Sequence, residues 1–234
     1  MKQTFPVFFL LLLAALAGCT RNQGEVPGSA QGEQISSADE AFPPGLPPIG
    51  KWMLAPDDAP ARWLNQIYHG KNLREPINLI LVDRAAKSLG DATNRLLRAM
   101  SAAGFPQRIG HSHGYSALIG GVRCGQFGDG RSTAFADEPF ELNNNHGRIF
   151  GPFVFNGAYV FTAAFSREKI DPLARLKHEF LSFNHARDVL AQQLEWYTPF
   201  KRTGFVPLQN ALLDAPALTT GDHDGIALLL EARE

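Results

Sequence analysis

The stretch INLILVD, Ile77 to Asp83, is apolar at almost every position. A strand with one solvated face would alternate apolar and polar residues, so this run predicts a central strand that is covered on both faces. The segment after it, AAKSLGDATNRLLRAMSAAGF, places Leu89, Leu96 and Met100 at helical spacing. Gly104 is suited to end that helix. The first part of the core is therefore predicted to be a strand followed by an amphipathic helix.

Two later segments, Arg148 to Phe155 and Ala158 to Glu168, predict a β-hairpin. Asn156-Gly157 between them is a strong signal for a two-residue turn. Pro152 cannot donate a ladder hydrogen bond, so the first arm is expected at a sheet edge or at a bulge.

The remaining elements complete an alternating order of strands and helices. A second helix is expected from about Asn184, which is a good N-cap, and a last strand over Gly225 to Ala232. The glycine-rich middle, Pro106 to Asn145, is expected to be irregular, with short strands. This order predicts an α+β two-layer sandwich with an antiparallel sheet and two main helices, for which the ferredoxin-like fold is one candidate.

The N-terminus has the features of an export signal. Lys2 is positive, and the apolar run Phe5 to Leu16 is too short to span a bilayer. The LAGC sequence that follows, Leu16 to Cys19, resembles the lipobox of bacterial lipoproteins. The resemblance implies a signal peptide over residues 1–18 and a lipid-anchored Cys19 with palmitate-type acyl chains on its thiol. The alternatives are an ordinary signal peptide cut near Ala17 and an uncut anchor.

Composition divides the rest of the chain into a linker and one domain. Residues 19–50 are rich in Gly, Pro, Ser, Gln and Glu, which predicts a disordered linker whose root-mean-square span is roughly 30 Å. Residues 51–234 are long enough for a single domain with its own core. A net charge of −1 gives no basic footprint for nucleic acid. Cys124 is expected to be a buried small apolar residue.

Segments of the domain resemble the LssY C-terminal-like family in their order and spacing. This is a family of bacterial envelope proteins, some of them fused to membrane phosphatase-like segments and linked by association to type I secretion. The segments that carry the resemblance are EPINLILVDRAAKSLGDATNRLLRAMSAAGF, NNNHGRIF, FTAAFSRE and IDPLARLKHEFLSFNHARDVLAQQL. The family has no established reaction to transfer to this chain.

The resemblance also implies site residues. The family's His and Arg on the first hairpin strand match His146 and Arg148, and its His before the second helix matches His178. Its Asp-x-Glu-Arg-Asp run matches NHARD, Asn184 to Asp188, in which Arg187 and Asp188 are retained. Asn184 and Ala186 replace the family's two other acids, which weakens any metal or acid–base role.

Three interpretations of these polar residues are open. They form a structural polar cluster, an anion or polar-ligand site at Arg148, Arg187 and His185, or a metal site. The metal ligands would be His146, His178 and Asp188, since two imidazoles and a carboxylate can hold zinc or iron. No catalytic residue is assigned, and the cofactor is unknown.

The leading hypothesis is therefore a non-enzymatic envelope lipoprotein. Its domain would contact a protein partner or a polar ligand, and Thr20, in place of the Asp that often retains lipoproteins at the inner membrane, favours the outer membrane. The membrane would be a partner through the acyl anchor, with no role for nucleic acid. The alternative is a metal-assisted hydrolase built on the His/Asp cluster.

The anchor generates the first prediction. Mass spectrometry of the native product should show residues 1–18 removed and glycerol-linked fatty chains on the sulfur of Cys19. Two or more acyl chains hold a protein stably at a bilayer, so the product should fractionate with membranes. A bare or unprocessed polypeptide would contradict the lipoprotein assignment.

Overall fold

The computed structural model describes residues 39–110, 113–127, 133–171 and 177–233. The predicted signal peptide, Cys19 and the linker up to residue 38 lie outside the described residues. The helices are α1 (Leu89–Ala102) and α2 (Phe183–Tyr197). The strands are β1 (Glu40–Ala41), β2 (Ile49–Gly50), β3 (Arg62–Tyr68), β4 (Lys71–Arg74), β5 (Leu79–Asp83), β6 (Gln107–Ile109), β7 (Ser116–Ile119), β8 (Val122–Gly125), β9 (Thr133–Ala136), β10 (Asn144–Phe155), β11 (Ala158–Asp171), β12 (Lys177–Ser182), β13 (Lys201–Pro207), β14 (Leu218–Thr219) and β15 (Ile226–Ala232).

The main sheet has eight strands. Its order is β13-β15-β5-β11-β10-β9-β6, and β12 pairs with the C-terminal part of β11. β5 and β15 are parallel, and the other pairs of this sheet are antiparallel. Along β5, Leu81 packs on one face of the sheet while Ile80 and Val82 pack on the other. The prediction that this strand is covered on both faces is confirmed.

The two faces of the main sheet are covered by different kinds of layer. α1 and α2 cover one face, called here the helix side, through an apolar cluster that includes Leu96, Leu190 and Phe161. A four-stranded sheet, β1-β2-β7-β8, covers the other face, called here the strand side, where Ile119 and Cys124 are fully buried. Cys124 is buried as expected, but it is not a free thiol.

A three-stranded sheet, β14-β4-β3, extends the strand side. It packs through Trp63 and Leu73 against Phe180 of β12, and Trp63 also donates a hydrogen bond from its indole nitrogen to Oγ of Ser166 on β11 (2.9 Å). All three apolar clusters are formed by residues between Ile49 and Ala232. A chain that begins at Asp39 therefore contains every buried residue of these three clusters.

The predicted α+β two-layer sandwich is wrong. Of the described residues, 48% lie in strands and 16% in helices, in large multi-stranded sheets, so the fold is mostly β and is not ferredoxin-like. The physical reason is that the end of the expected linker and the segment after it, residues 40–74, form short strands, which add to those expected in the glycine-rich middle. These strands supply the second cover that the doubly buried main sheet requires.

The predicted hairpin is confirmed as β10 and β11, which are joined by the turn at Asn156-Gly157. Pro152 lies where the register shifts between Phe150 and Phe153, so it occupies a bulge as expected. α2 begins two residues earlier than predicted, because its N-cap is Ser182 and not Asn184. The Oγ atom of Ser182 accepts a hydrogen bond from the backbone N–H of His185 (2.8 Å).

The N-terminal boundary of the folded part also differs from the prediction. Glu40–Ala41 and Ile49–Gly50 pair with each other as β1 and β2, and β2 pairs with β7. The last residues of the predicted linker thus belong to the domain. Neither helix in the described part of the chain combines the length and the apolar run needed to cross a bilayer.

Replacing Phe161 by Ala should strongly destabilise the fold. Its ring, near the start of β11, is fully buried in the helix-side cluster, so the free energy of unfolding should fall by about 3–5 kcal/mol. Val154→Ala on the same hairpin is the control, because Val154 is 57% exposed and should change stability by about 0.5 kcal/mol or less. Denaturant unfolding measures both values, and equal losses would contradict the assigned core.

Candidate functional site

The alternation of side chains along β11 decides where the polar residues gather. Phe165 belongs to the helix-side cluster and Ala164 to the strand-side cluster. Because successive side chains of a strand point to opposite faces, Arg167 continues the first set and Glu168 the second. The contacts agree: Arg167 donates from Nη1 to Nε2 of His185 on α2 (2.8 Å), whereas Glu168 reaches residues of β10 and β12.

Glu168 is the centre of the strand-side group. It is 1% exposed, and its Oε2 accepts a hydrogen bond from Nδ1 of His178 (2.7 Å). Its Oε1 accepts one from Nδ2 of Asn144 (2.8 Å), and Oδ1 of Asn144 lies 2.8 Å from Nδ1 of His146. Both imidazoles therefore direct Nδ1 towards the Glu168–Asn144 pair, and each Nε2 lies on the side of the ring away from Glu168.

These side chains line a cleft of about 160 Å³. We call it the His–Glu cleft. The Phe140 ring packs edge-on against the His146 ring, with 5.9 Å between ring centroids. Drug-sized pockets hold roughly 300–1,000 Å³, so this cleft suits a small molecule or one polar group of a larger one. The residues that line it are Leu64, Gly110, Ala134, Phe140, His146, Arg148, Glu168 and His178.

A bulge in β3 forms one wall of the cleft. The register of β3 shifts between Arg62 and Ile67, and Leu64 and Asn65 have φ values of 45° and 54°. Left-handed backbone costs an L-residue about 1–2 kcal/mol, so the surrounding structure must hold this bulge in place. Gln66 contributes by donating a hydrogen bond to the backbone carbonyl of His178.

Burial shifts the pKa of two ionisable groups in the cluster. Glu75 is 8% exposed, and its burial raises the pKa of its carboxyl to about 7; the charge of Arg148 opposes this rise and that of Glu168 adds to it. Burial lowers the pKa of His146 to about 4, although the electrostatic interaction with Glu168 acts to raise it. At neutral pH His146 is therefore uncharged. The guanidinium of Arg148 stacks over the Tyr115 ring, 4.4 Å from its centroid.

The other predicted site residues lie at the start of α2, on the helix side. Arg187 donates to Asp188 (Nε to Oδ1, 2.8 Å), to both carboxylate oxygens of Asp224 (2.7 and 3.1 Å) and to the carbonyl of Ile226 (2.8 Å). Its side chain is only 6% exposed. Arg187 therefore ties α2 to the loop before β15 and is not directed towards an open anion site.

The sequence-predicted cluster is thus divided by the main sheet. His146, Arg148 and His178 meet in the His–Glu cleft, but His185, Arg187 and Asp188 are not among its lining residues. Within the described ranges, no group of three His, Cys, Asp or Glu side chains is arranged to hold a metal ion. Of the three predicted metal ligands, Asp188 lies apart from His146 and His178, and its carboxylate is paired with Arg187.

Sequence reasoning missed three members of the cleft network: Glu75, Asn144 and Glu168. Glu168 ends the quoted segment FTAAFSRE. It follows Ala164 by four residues and Ser166 by two, so it lies on the same face of the strand as both of them, the strand side. That signal was available from the period-2 pattern of the strand. Glu75 and Asn144 gave no comparable signal, because their roles depend on contacts between distant segments.

No protein-family model matches the chain, and neither do any of the curated proteins or solved structures with which it was compared. The LssY resemblance and the lipobox therefore stay predictions.

Glu75→Gln should change how stability depends on pH. The folded-state pKa of Glu75 is raised from 4.5 to about 7, so its favourable contribution is fully present below pH 4.5 and is lost as the pH rises through 7. The difference in unfolding free energy between wild type and Glu75→Gln should change by on the order of 3 kcal/mol across that window.

Denaturant unfolding at a series of pH values measures this difference. The pKa values of His146 and His223 are lowered to about 4, so their contribution to the free energy of unfolding is lost as the pH falls through 4. This pH dependence has the opposite sign to that of Glu75. It is common to both proteins and cancels when the difference is taken. The exposed Glu141→Gln variant is the control and should match wild type at every pH. A Glu75→Gln curve parallel to that of wild type would refute the assignment.

Arg187→Ala should destabilise the protein without revealing an anion site. Removing the guanidinium leaves Asp224 without its bidentate partner, and stability should fall by about 2–4 kcal/mol. Phosphate should shift the melting temperature of wild type and variant equally. Exposed Arg98→Ala is the control and should change stability by about 0.5 kcal/mol or less. A phosphate-dependent rise in melting temperature that needs Arg187 would restore the anion-site interpretation.

Proposed function

We propose that the chain is a lipid-anchored protein of the bacterial envelope, held at the outer membrane through Cys19. Its folded domain binds a small polar ligand, or a polar group of an envelope partner, in the His–Glu cleft. The lipobox supports the anchor, and the LssY resemblance supports an envelope setting connected with secretion. The single observation that carries ligand binding is the buried Glu168, which orients two imidazoles along the cleft.

The arrangement has the features of a prepared binding site. A buried polar group needs hydrogen-bond partners, and the carboxyl oxygens of Glu168 accept hydrogen bonds from His178 and Asn144. This fixes the His178 ring, which is 36% exposed, so that its Nε2 is available to a ligand without a loss of side-chain freedom on binding.

Binding fits the lining of the cleft better than catalysis does. None of its lining residues carries a hydroxyl or thiol that could act as a nucleophile. The chemistry it offers is hydrogen bonding from imidazole nitrogens and the guanidinium of Arg148, beside the apolar walls of Leu64 and Phe140. A ligand with both acceptor and donor atoms on a compact frame matches this lining.

The competing hypothesis is the metal-assisted hydrolase. It requires stoichiometric zinc or iron in the purified protein and the loss of that metal in His178→Ala. Elemental analysis of both proteins decides between the two hypotheses, and a metal-free wild type would leave the hydrolase without support.

Thermal-shift measurements test the cleft as a binding site. The probes are phosphate, acetate, ethanolamine, glycerol and glucose, which sample anionic, cationic and neutral polar groups. At least one should raise the melting temperature of wild type and leave that of His178→Gln unchanged. The matched control is Glu179→Gln, the neighbouring residue on β12, whose side chain points to the opposite face of the strand.

The outcome is decisive in either direction. A response by wild type and Glu179→Gln, lost in His178→Gln, supports the cleft. If no probe acts on wild type, or if all three proteins respond alike, the His–Glu cleft is not the binding site for these polar groups.

A further inference from the structure

The end of α2 carries an exposed aromatic pair. Trp196 and Tyr197 are 61% and 62% exposed, and their rings meet edge to face with 6.4 Å between centroids. Both side chains are amphipathic, with an apolar ring and a polar N–H or O–H group. Tyr197 lines a shallow cavity together with Arg98 of α1, whose side chain is exposed.

The edge strand β13 begins four residues after Tyr197 and carries further exposed residues on the helix side. Arg202 and Phe205 lie opposite Leu230 and Leu228 of β15, both of which belong to the helix-side cluster. Because directly opposed residues of an antiparallel pair share a face, Arg202 and Phe205 also lie on the helix side. Both are exposed. We call Trp196, Tyr197, Phe205, Arg98 and Arg202 the aromatic–basic patch.

The charge of the patch is positive. Lys201, between the pair and Arg202, donates from its ammonium group to the backbone carbonyls of Glu195 and Thr198, which adds a further positive charge at the end of α2. The acidic residue within this stretch is Glu195. Glu231 lies opposite Lys201 on β15, but it is buried and paired with Arg84 and Arg233. The basic residues of this surface are therefore more numerous than its exposed acidic ones.

We infer that the aromatic–basic patch docks the domain on an anionic phospholipid bilayer. Trp and Tyr favour the interface between headgroups and acyl chains, where the ring is in an apolar environment and its polar group stays hydrated. Arg and Lys beside them are attracted to anionic headgroups, with an effect of about fivefold in binding for each charge. The patch thus has the complementary charge and the amphipathic rings that such a surface selects.

The biological use of the patch rests on the proposed acyl anchor. A flexible linker between Cys19 and Asp39 would have a span of roughly 25 Å and would keep the domain close to the bilayer, where even weak docking becomes effective. Docking through the helix side would leave the His–Glu cleft, on the strand side of the main sheet, facing away from the lipid.

The test uses residues 39–234, which contain every buried residue of the three apolar clusters and lack Cys19, so that no acyl chain contributes to binding. Vesicles of phosphatidylcholine alone are compared with vesicles of phosphatidylcholine and phosphatidylglycerol in equal parts. Trp52 and Trp63 are 5% and 1% exposed, so a change in tryptophan emission on binding reports on Trp196. Emission should shift to the blue with the anionic vesicles, and co-sedimentation should show binding that salt weakens.

Two pairs of variants locate the contact. Arg98→Gln should weaken binding to the anionic vesicles about fivefold, and Trp196→Ser at least as much. The controls are Arg62→Gln and Ile67→Ser on β3, which change an exposed arginine and a 62% exposed apolar residue on the strand side. Both controls should bind like wild type, and all four variants should keep the wild-type melting temperature within a few degrees, because the changed side chains are exposed.

Loss in the patch variants alone supports the proposal. It is overturned if wild type does not bind the anionic vesicles, if Trp196 emission does not shift, or if the patch and control variants bind equally. Because the protein tested carries no acyl group, a failure here is separate from a failure of the lipid anchor.

Discussion

The central strands of the main sheet are apolar on both faces, and the rest of the fold follows from covering both. Along β5 the faces alternate between Leu81 on the helix side and Ile80 on the strand side. Leaving either face in water would forfeit roughly 1.5–3 kcal/mol for each large side chain. α1 and α2 cover only the helix side, so the other cover must come from short strands drawn from distant parts of the chain. Asn78, fully buried before β5, exchanges hydrogen bonds with the backbone of Phe165 and sets the start of this strand against β11.

The same alternation builds the candidate site. The first part of β11 pairs with β5 over Tyr159 to Ala163, and its last part pairs with β12 over Arg167 to Asp171. In the first part the strand side packs against the four-stranded sheet. In the second part it reaches the cleft, where Glu168 replaces the apolar residues. The cleft thus lies where β11 extends beyond the four-stranded sheet that covers its first part. Its position is a consequence of the length of β11.

The sequence predicted the elements of the main sheet better than it predicted the layers. The 3.6-residue period of α1, the Asn156-Gly157 turn and the apolar runs of β5 and β15 are local signals, and the structure agrees with each of them. The short strands of the strand side lack a local signal, since β1, β2 and β14 have two residues each and a bulge interrupts β3. The doubly apolar INLILVD run nevertheless conflicts with a two-layer sandwich, in which one face of the sheet is solvated. Following that conflict would have predicted a third layer.

The candidate site shows the same division between local and non-local information. His146, Arg148 and His178 were expected to meet, and they do, because register places them on one face of β10 and β12, the two strands that pair with the last part of β11. Arg187 and Asp188 were grouped with them only because the second helix was expected to pack beside the hairpin. α2 does pack on β11, but on the opposite face of the sheet, which residue spacing alone did not reveal.

Burial determines what kind of recognition the cleft can perform. It raises the pKa of Glu75 to about 7 and lowers that of His146 to about 4, so both groups move towards their neutral forms. Both oxygens of the buried Glu168 carboxyl already accept hydrogen bonds, one from His178 and one from Asn144. A ligand that enters the cleft is therefore contacted mainly by oriented imidazole groups, and the net electrostatic field of the cleft contributes less. Such a site selects by the positions of hydrogen-bonding atoms, since an unpaired polar atom left inside the cleft would cost about 1–3 kcal/mol.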